Sequence, residues 1–257
     1  MRQKINHLWR QCGTGLGFLF FSIGGFILTI TAFPSIALLS GSEQKRIDRT
    51  RKLIHMSFRA FIFFLTKGKV IGVDIKGAER LKNDKGRLIV SNHPSLLDVV
   101  FLVSVMPKAQ CIVKHELWDH KYYGGVMRAA GYIRNDGDPE NMLAQCKKAL
   151  DSGHDIVIFP EGTRTKPGSA HKFQRGFANI AALCPCDIQL ASISSYPPSL
   201  TKGSRWYQVP NVKAQFDVTI EEQLDIEDYL RDEPRSKAVR KLTRELEHYY
   251  DGKVQHG

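Results

Sequence analysis

The sequence has no disulfide framework. Its five cysteines, Cys12, Cys111, Cys146, Cys184 and Cys186, are odd in number and irregular in spacing. That pattern argues for reduced thiols in a cytoplasm-facing protein. Cys184 and Cys186 flank a proline, but no second Cys or His pair stands at zinc-like spacing, so no metal site is expected. The chain shows no internal repeat, no low-complexity linker and no recognisable nucleic-acid module. Acidic residues are in deficit: 26 Asp and Glu against 37 Lys and Arg leave a net charge of +11. Without a nucleic-acid module, that excess points to an anionic membrane, an acidic carrier protein or a phosphorylated substrate.

No charged residue at all occurs between Arg10 and Glu43. Within that gap, Leu16 to Phe33 (LGFLFFSIGGFILTITAF) would make a helix of roughly 27 Å at ~1.5 Å per residue, close to a bilayer core. Pro34 is expected to end or kink it. A signal peptide fits the basic start, but the apolar run is long for one and free cysteines do not suit export. A spanning helix fits the length, and its flanking charges would favour a cytoplasmic placement of the domain after it. The third placement is monotopic. Ile54 to Leu65 (IHMSFRAFIFFL) is a second apolar stretch, too short to span, and the basic segment SEQKRIDRTRK lies between the two. Two such helices partly immersed in one leaflet would anchor the chain, and this placement is slightly preferred over spanning. Gly13, Gly15 and Gly17 follow no strand, so they are read as helix-packing glycines rather than a nucleotide loop.

From Lys67 onward, strand-like and helix-like segments alternate. Strands are expected at 70–77, 87–92, 109–114, 131–133, 155–160, in IQLASIS and in VKAQFDVTI. Helices are expected at 96–106, over most of 115–130, at 139–152 with Asp138 as cap, at 173–183 and at 235–250. Val239, Leu242, Leu246 and Tyr249 give the last helix an apolar packing stripe. This order predicts an α/β fold: a mixed, largely parallel sheet flanked by helices, preceded by a two-helix membrane-associated element. The expected division is an anchor over 1–66 and a catalytic domain over 67–257.

Three polar sites follow expected strands. They are His93 in LIVSNHPSLLD, Arg134 in GYIRND, and Glu161 with Arg164 in FPEGTR. Ligands of open α/β sheets gather outside the carboxyl ends of strands, so these groups would share one rim. Pro94 suits a first helical position, which leaves His93 outside the helix and able to fold back onto Asp98. Asp98 could then take one ring nitrogen and leave the other free as a base. Ser95 reads as a cap or first-turn residue. The backbone N–H groups that start the helix after His93 are candidate donors to an oxyanion. In the third segment, Gly162 allows a ligand close to the backbone, Thr163 offers a hydroxyl and Arg164 can grip phosphate. Lys172 and Arg175 would add positive potential. Glu161 is expected to pair with an arginine or lysine and hold it. His115, His120, His154 and His171 have no partner at telling spacing and read as surface or packing residues.

In their order and separation, NHPSLLD (92–98), GYIRND (131–136) and FPEGTR (159–164) resemble the glycerolipid acyltransferase family typified by lysophosphatidate acyltransferase. The resemblance covers roughly residues 67–195. It implies acyl transfer from acyl-CoA or acyl-carrier protein to a lysophospholipid hydroxyl, with no cofactor and no metal. It casts His93 as base and Asp98 as its partner. It places Gly131, Arg134, Glu161, Gly162, Thr163 and Arg164 in substrate-binding blocks. The implied location is the membrane, at the cytoplasmic face of a bacterial inner membrane. The chain departs from the family's usual fourth block, a proline-containing apolar strand. Here CDIQLASISSYPPSLTKGSRWYQVP stands instead, with an insertion after the strand.

Overall fold

The computed structural model describes residues 2–83, 85–121 and 123–255. The N-terminal helix α1 (Arg2–Ile27) runs through a π-helical turn (Leu28–Ala32) into α2 (Phe33–Leu39). Pro34 therefore does not end the helix. The wide turn immediately before it shifts the hydrogen-bond register, with Phe33 N donating to Leu28 O. That shift accommodates a residue with no N–H to give. Helix α3 (Glu43–Lys67) follows, capped by Ser42. The basic segment between the two apolar stretches is not a separate connection but the first half of α3, since it contains no glycine or proline to interrupt helix propagation once Ser42 caps it.

The remaining elements are β1 (Gly72–Lys76), β2 (Leu88–Ser91), α4 (Asp98–Val103), β3 (Gln110–Lys114), α5 (His115–Trp118), α6 (Gly124–Ala129), β4 (Ile133–Asn135), α7 (Pro139–Asp151), β5 (Ile156–Ile158), α8 (Gly176–Leu183), β6 (Ile188–Tyr196), β7 (Gln215–Leu224), α9 (Glu227–Leu230) and α10 (Arg235–Gln255). The single helix expected over 115–130 is two short ones, and Tyr122 between them lies outside the described residues. Asp138 caps α7 as expected, accepting from Glu140 N and Asn141 N.

The strands form one sheet in the order β1-β7-β6-β2-β5-β3-β4. Strands β6, β2, β5, β3 and β4 are mutually parallel, while β7 runs antiparallel to β6 and β1 pairs parallel with β7. The sheet is mixed and largely parallel, as the alternating segments predict. Central β2 is buried along its whole length because helices cover both faces. Its side chains alternate accordingly. Ile89 joins the cluster under α3 and α4, whereas Leu88 and Val90 join the cluster under α7, α8 and α10.

Helix α1 lies against α3 through its glycines. A Cβ on Gly17 would stand 2.9 Å from Leu65, and one on Gly13 would stand 2.6 Å from Val70. Helix α3 in turn belongs to the body of the fold, since Ile54, Phe61 and Leu65 share a buried cluster with Phe101 and Phe216. The opposite face of α1 is uncovered. Leu8, Cys12, Leu16, Leu19, Ile23, Phe26 and Ile30 recur every three or four residues and are all exposed. The span Arg2–Leu39 is long and apolar enough to cross a membrane, and only 11% of its most apolar window is buried.

Candidate active site

The site is built where two neighbouring parallel strands send their chains to opposite faces of the sheet. After β2 the chain enters α4, which packs with Phe101 in the α3-side cluster. After β5 it enters α8, which packs with Phe177 in the α10-side cluster. Divergence of this kind opens a crevice at the carboxyl ends of the strands.

His93 stands at the mouth of that crevice. Its Nδ1 lies 2.7 Å from Asp98 Oδ2, with the ring side chain 19% exposed and the carboxylate fully buried. Among the described residues no hydrogen bond reaches Nε2, and the ring stacks on Phe159 with centroids 4.4 Å apart. The tautomer that donates from Nδ1 to Asp98 leaves the Nε2 lone pair outward. Helix α4 begins at Asp98 itself rather than at Pro94. The residues before it form a turn in which Asp98 Oδ2 also accepts the Ser95 N–H at 2.8 Å. Burial pushes the Asp98 carboxyl up to about 6, against the lowering effect of its bonds to His93 and Ser95. It is therefore ionised at neutral pH and above, where it can stabilise a charged imidazole beside it.

Glu161, just beyond β5, departs from expectation. Instead of an arginine or lysine, its Oε1 accepts the backbone N–H of His93 at 3.0 Å and the Nδ1 of His171 at 3.0 Å. Its Oε2 accepts the Thr165 hydroxyl. The carboxylate is nearly buried, where three local donors satisfy it without a long cationic side chain. A return bond, Thr165 N to His93 O at 2.9 Å, ties the two loops together. His171 is thus neither a surface residue nor mere packing. It is buried against the carboxylate that holds His93, while Asp251 and Glu247 of α10 accept the N–H groups of His171 and Phe173. Ten residues of separation from Glu161 carry no periodic signal by which the sequence could reveal it.

Gly162 adopts φ +66°, and a Cβ there would stand 2.8 Å from Gln174 Nε2. Thr163 is exposed and Arg164 half-buried. Arg164 Nη1 donates to the carbonyls of Leu200 and Thr201 at 3.0 and 3.1 Å. Leu200 O also accepts from Leu96 N, so Arg164 pins the β6–β7 segment to the His93 turn. Lys172 and Arg175 are exposed.

The second block sits apart, two strands away on the same rim. Arg134 pairs with Asp119 at 2.7 Å. Gly131 is not in a strand. It ends the α6 turn at φ +59°, where a Cβ would stand 3.0 Å from Ile47 of α3. Arg51 of α3, buried, donates to the carbonyls of Ala130 and Gly131 and to the Gln110 side chain. The contacts at Gly131 are thus with α3, not with His93.

Residues 72–195 match the profile of the family described as Acyltransferase. The chain is 38% identical over 109 residues to the 1-acyl-sn-glycerol-3-phosphate acyltransferase of Helicobacter pylori, covering 40% of this chain and 46% of that one. It is 30% identical over 146 residues to 1-acyl-sn-glycerol-3-phosphate acyltransferase alpha of Mus musculus, covering 54% and 51%. The chain spans about half the length of the curated relatives it matches. The crystal structure of the 1-acyl-sn-glycerophosphate (LPA) acyltransferase PlsC from Thermotoga maritima superimposes with a TM-score of 0.69 at 20% identity, over 99% of this chain and 97% of that one, and so shares the fold. The chain is thus similar to acyltransferases in the profile that residues 72–195 match and in the curated relatives, and it shares the fold of PlsC.

Proposed function

We propose that this protein transfers a fatty acyl group from acyl-CoA or acyl-carrier protein to the free hydroxyl of a lysophospholipid. The acceptor of choice is the sn-2 hydroxyl of 1-acylglycerol-3-phosphate, the substrate in the names of the relatives above. The observation that carries this reading is the His93–Asp98 pair, with one ring nitrogen bound to a buried carboxylate and the other open.

An alcohol is a weak nucleophile until its proton leaves. His93 Nε2 takes that proton as the acceptor oxygen attacks the thioester carbonyl. Asp98 fixes the tautomer and stabilises the imidazolium. The tetrahedral intermediate then collapses, its C–S bond breaks, and the departing thiolate recovers the proton from His93. No covalent acyl-enzyme is needed. The oxyanion needs donors, and the first turn after His93 does not offer them. The N–H groups of Ser95, Leu96 and Leu97 are already bound to Asp98, Leu200 and the Ser95 hydroxyl. Among the described residues, the N–H groups of Thr163 and Arg164 make no hydrogen bond, and the turn that carries them runs between Glu161 and Thr165, which bond to the His93 N–H and carbonyl. We assign the oxyanion to the N–H groups of Thr163 and Arg164. Arg164 keeps guanidinium nitrogens beyond Nη1 for the acceptor phosphate. Arg134, further along the rim, is assigned to substrate as well. Glu161 positions His93 rather than touching substrate.

Water must be kept from the thioester, and the acyl chain needs an apolar site. A cavity of about 610 Å³ between α1, α3 and α6 is lined by Phe21, Phe26, Phe33, Phe58, Phe61 and Met127 among others. We assign it to the acyl chain. Attachment to the membrane through the exposed stripe of α1 belongs to the same reading. A stripe on one face, with the other face packed on α3, fits a helix lying in the surface better than one spanning it.

The test is product analysis by mass spectrometry. Purified protein in lipid vesicles is given acyl-CoA or acyl-carrier protein with 1-acylglycerol-3-phosphate, or with a lysolipid lacking an exposed phosphate monoester. Phosphatidate formation supports the reading. Free fatty acid alone, whatever the acceptor, would identify a thioesterase-like hydrolase instead.

A further inference from the structure

The segment between β6 and β7 is where the sequence departs from the family it resembles, and it is unusually exposed for an apolar loop. Trp206 is 50% exposed, Val212 53% and Tyr207 37%. Lys202, Arg205 and Lys213 are exposed beside them. Nothing among these residues makes a core, yet the segment is firmly placed. Arg10 Nη2 donates to Asn211 O at 2.5 Å, Gln11 Nε2 donates to Tyr207 O at 3.0 Å, and His7 Nδ1 lies 3.3 Å from Pro210 O. All three tie it to α1.

Trp206 takes a seat that only glycine leaves open. A Cβ on Gly15 would stand 2.9 Å from the indole ring. Gly15 lies next to Leu16, three residues after Cys12 and four before Leu19. At about 100° per residue this puts it on the flank of the exposed apolar stripe. The other flank is closed by α3, where Phe20 stacks on Phe64 at 5.7 Å. The stripe of α1 is therefore bordered by aromatic side chains on both sides. On one side they come from α3, and on the other from the inserted segment.

We propose that residues 197–213 form a membrane-contact element. Trp206, Tyr207 and Val212 enter the interfacial zone of an anionic lipid surface alongside α1, and Lys202, Arg205 and Lys213 meet the headgroups. Tryptophan and tyrosine suit that zone, having an apolar body and a polar tip, and cations near it gain from anionic lipid. The same segment includes Leu200 and Thr201, whose carbonyls Arg164 holds. Lipid contact at Trp206 and the rim of the His93 crevice are thus two ends of one tethered piece. The element seats the active-site mouth at the depth where a lysolipid headgroup lies. This inference rests on the membrane attachment proposed above.

The test reads Trp206 directly. The chain has 3 tryptophans, so the double variant W9F/W118F leaves Trp206 as the sole one. It is mixed with phosphatidylcholine–phosphatidylglycerol vesicles whose lipids carry bromine either high on the acyl chain or near its end. The expected result is a blue shift and strong quenching by the high bromines, weaker by the deep ones. W206S in the native background should partition roughly tenfold more weakly, the scale of removing one large aromatic from an apolar contact. If the protein sediments with vesicles and Trp206 is not quenched, the contact element is refuted while attachment through α1 stands. If the protein does not sediment with vesicles at all, the attachment reading falls and takes this one with it. Should W9F/W118F fold poorly, W206F alone reads the same quantity, by loss of a quenched component from the native emission. An unchanged quenched component would overturn the proposal.

Discussion

Glu161 Oε1 lies 3.0 Å from the backbone nitrogen of His93, so a carboxylate beyond one strand fixes the main chain of the residue beyond the next. The same oxygen accepts from His171. His171→Leu removes one of the three donors that hold Glu161 and so loosens its grip on His93. A charge-assisted bond of this kind is worth about 1.5–3 kcal/mol. The expected outcome is a kcat lowered about tenfold, the effect of ~1.4 kcal/mol on a barrier, with KM for the acyl donor unchanged. His171→Asn, which can present an N–H to the carboxylate, should recover part of the loss. Steady-state kinetics of the two variants decides this, and equal kcat in His171→Leu and native protein would refute the positioning role.

Asp98 gives a prediction with opposite signs for activity and stability. Its folded-state carboxyl is raised to about 6 from an ordinary 3.8, chiefly by burial. A raised carboxyl favours the fold fully only below its unfolded value, and that contribution is lost as pH rises from about 4 through about 6. Asp98→Asn keeps an acceptor for His93 and Ser95 without the buried charge. It should match or exceed native stability at pH 8, by up to about 3 kcal/mol, and the difference should shrink toward pH 4. Its kcat should fall by about 10²-fold or more, because the imidazolium loses its counter-charge. Denaturant melts across pH together with rates measure both.

The proposal assigns Arg164 a second task beside its bonds to Leu200 and Thr201, and two substitutions separate them. Arg164→Ala frees the Leu200 and Thr201 carbonyls and should cost about 1–2 kcal/mol of stability by denaturant unfolding. Arg164→Lys retains the charge on a single donor nitrogen but not the planar fork. It should raise KM for 1-acylglycerol-3-phosphate about tenfold with a smaller change in kcat. An unchanged acceptor KM in Arg164→Lys would count against phosphate recognition.

Gly162→Ala places a Cβ at φ +66° against Gln174. Left-handed backbone costs roughly 1–2 kcal/mol for a residue with a side chain, so a lower melting midpoint is expected. The pair Gly162→Ala and Gln174→Ala should be less destabilised than the sum of the single variants, because the second change removes the clash but not the backbone strain.

Much of the fold is legible in the sequence because its signals are local. The buried run in β2, the alternation in β7 and the Asp138 cap of α7 each depend on neighbours along the chain. The His93–Asp98 contact is legible for the same reason: a proline sets the helix boundary, and five residues separate the two groups. Illegible features come from contacts between distant segments. Spacing alone suggests a cation for Glu161, yet the fold brings His171 and the His93 main chain to it. The N–H groups after His93 look open for an oxyanion in the sequence, but Leu200, more than a hundred residues away, occupies one of them. Gly131 sits in a matching motif but meets α3, since the short strand starts two residues later than the apolar run suggests. Pro34 misleads because a π-helical turn upstream absorbs its missing donor.

Single-turnover transfer by His93→Ala is the most direct test of the chemistry. Native protein and variant, both bound to vesicles and equally stable, are mixed with excess thioester donor and labelled 1-acylglycerol-3-phosphate. Labelled phosphatidate is then followed in time. Removal of the base should slow its formation by about 10²–10⁴-fold with vesicle binding unchanged. Formation in the variant at a rate near that of the native protein would mean that His93 is not the base.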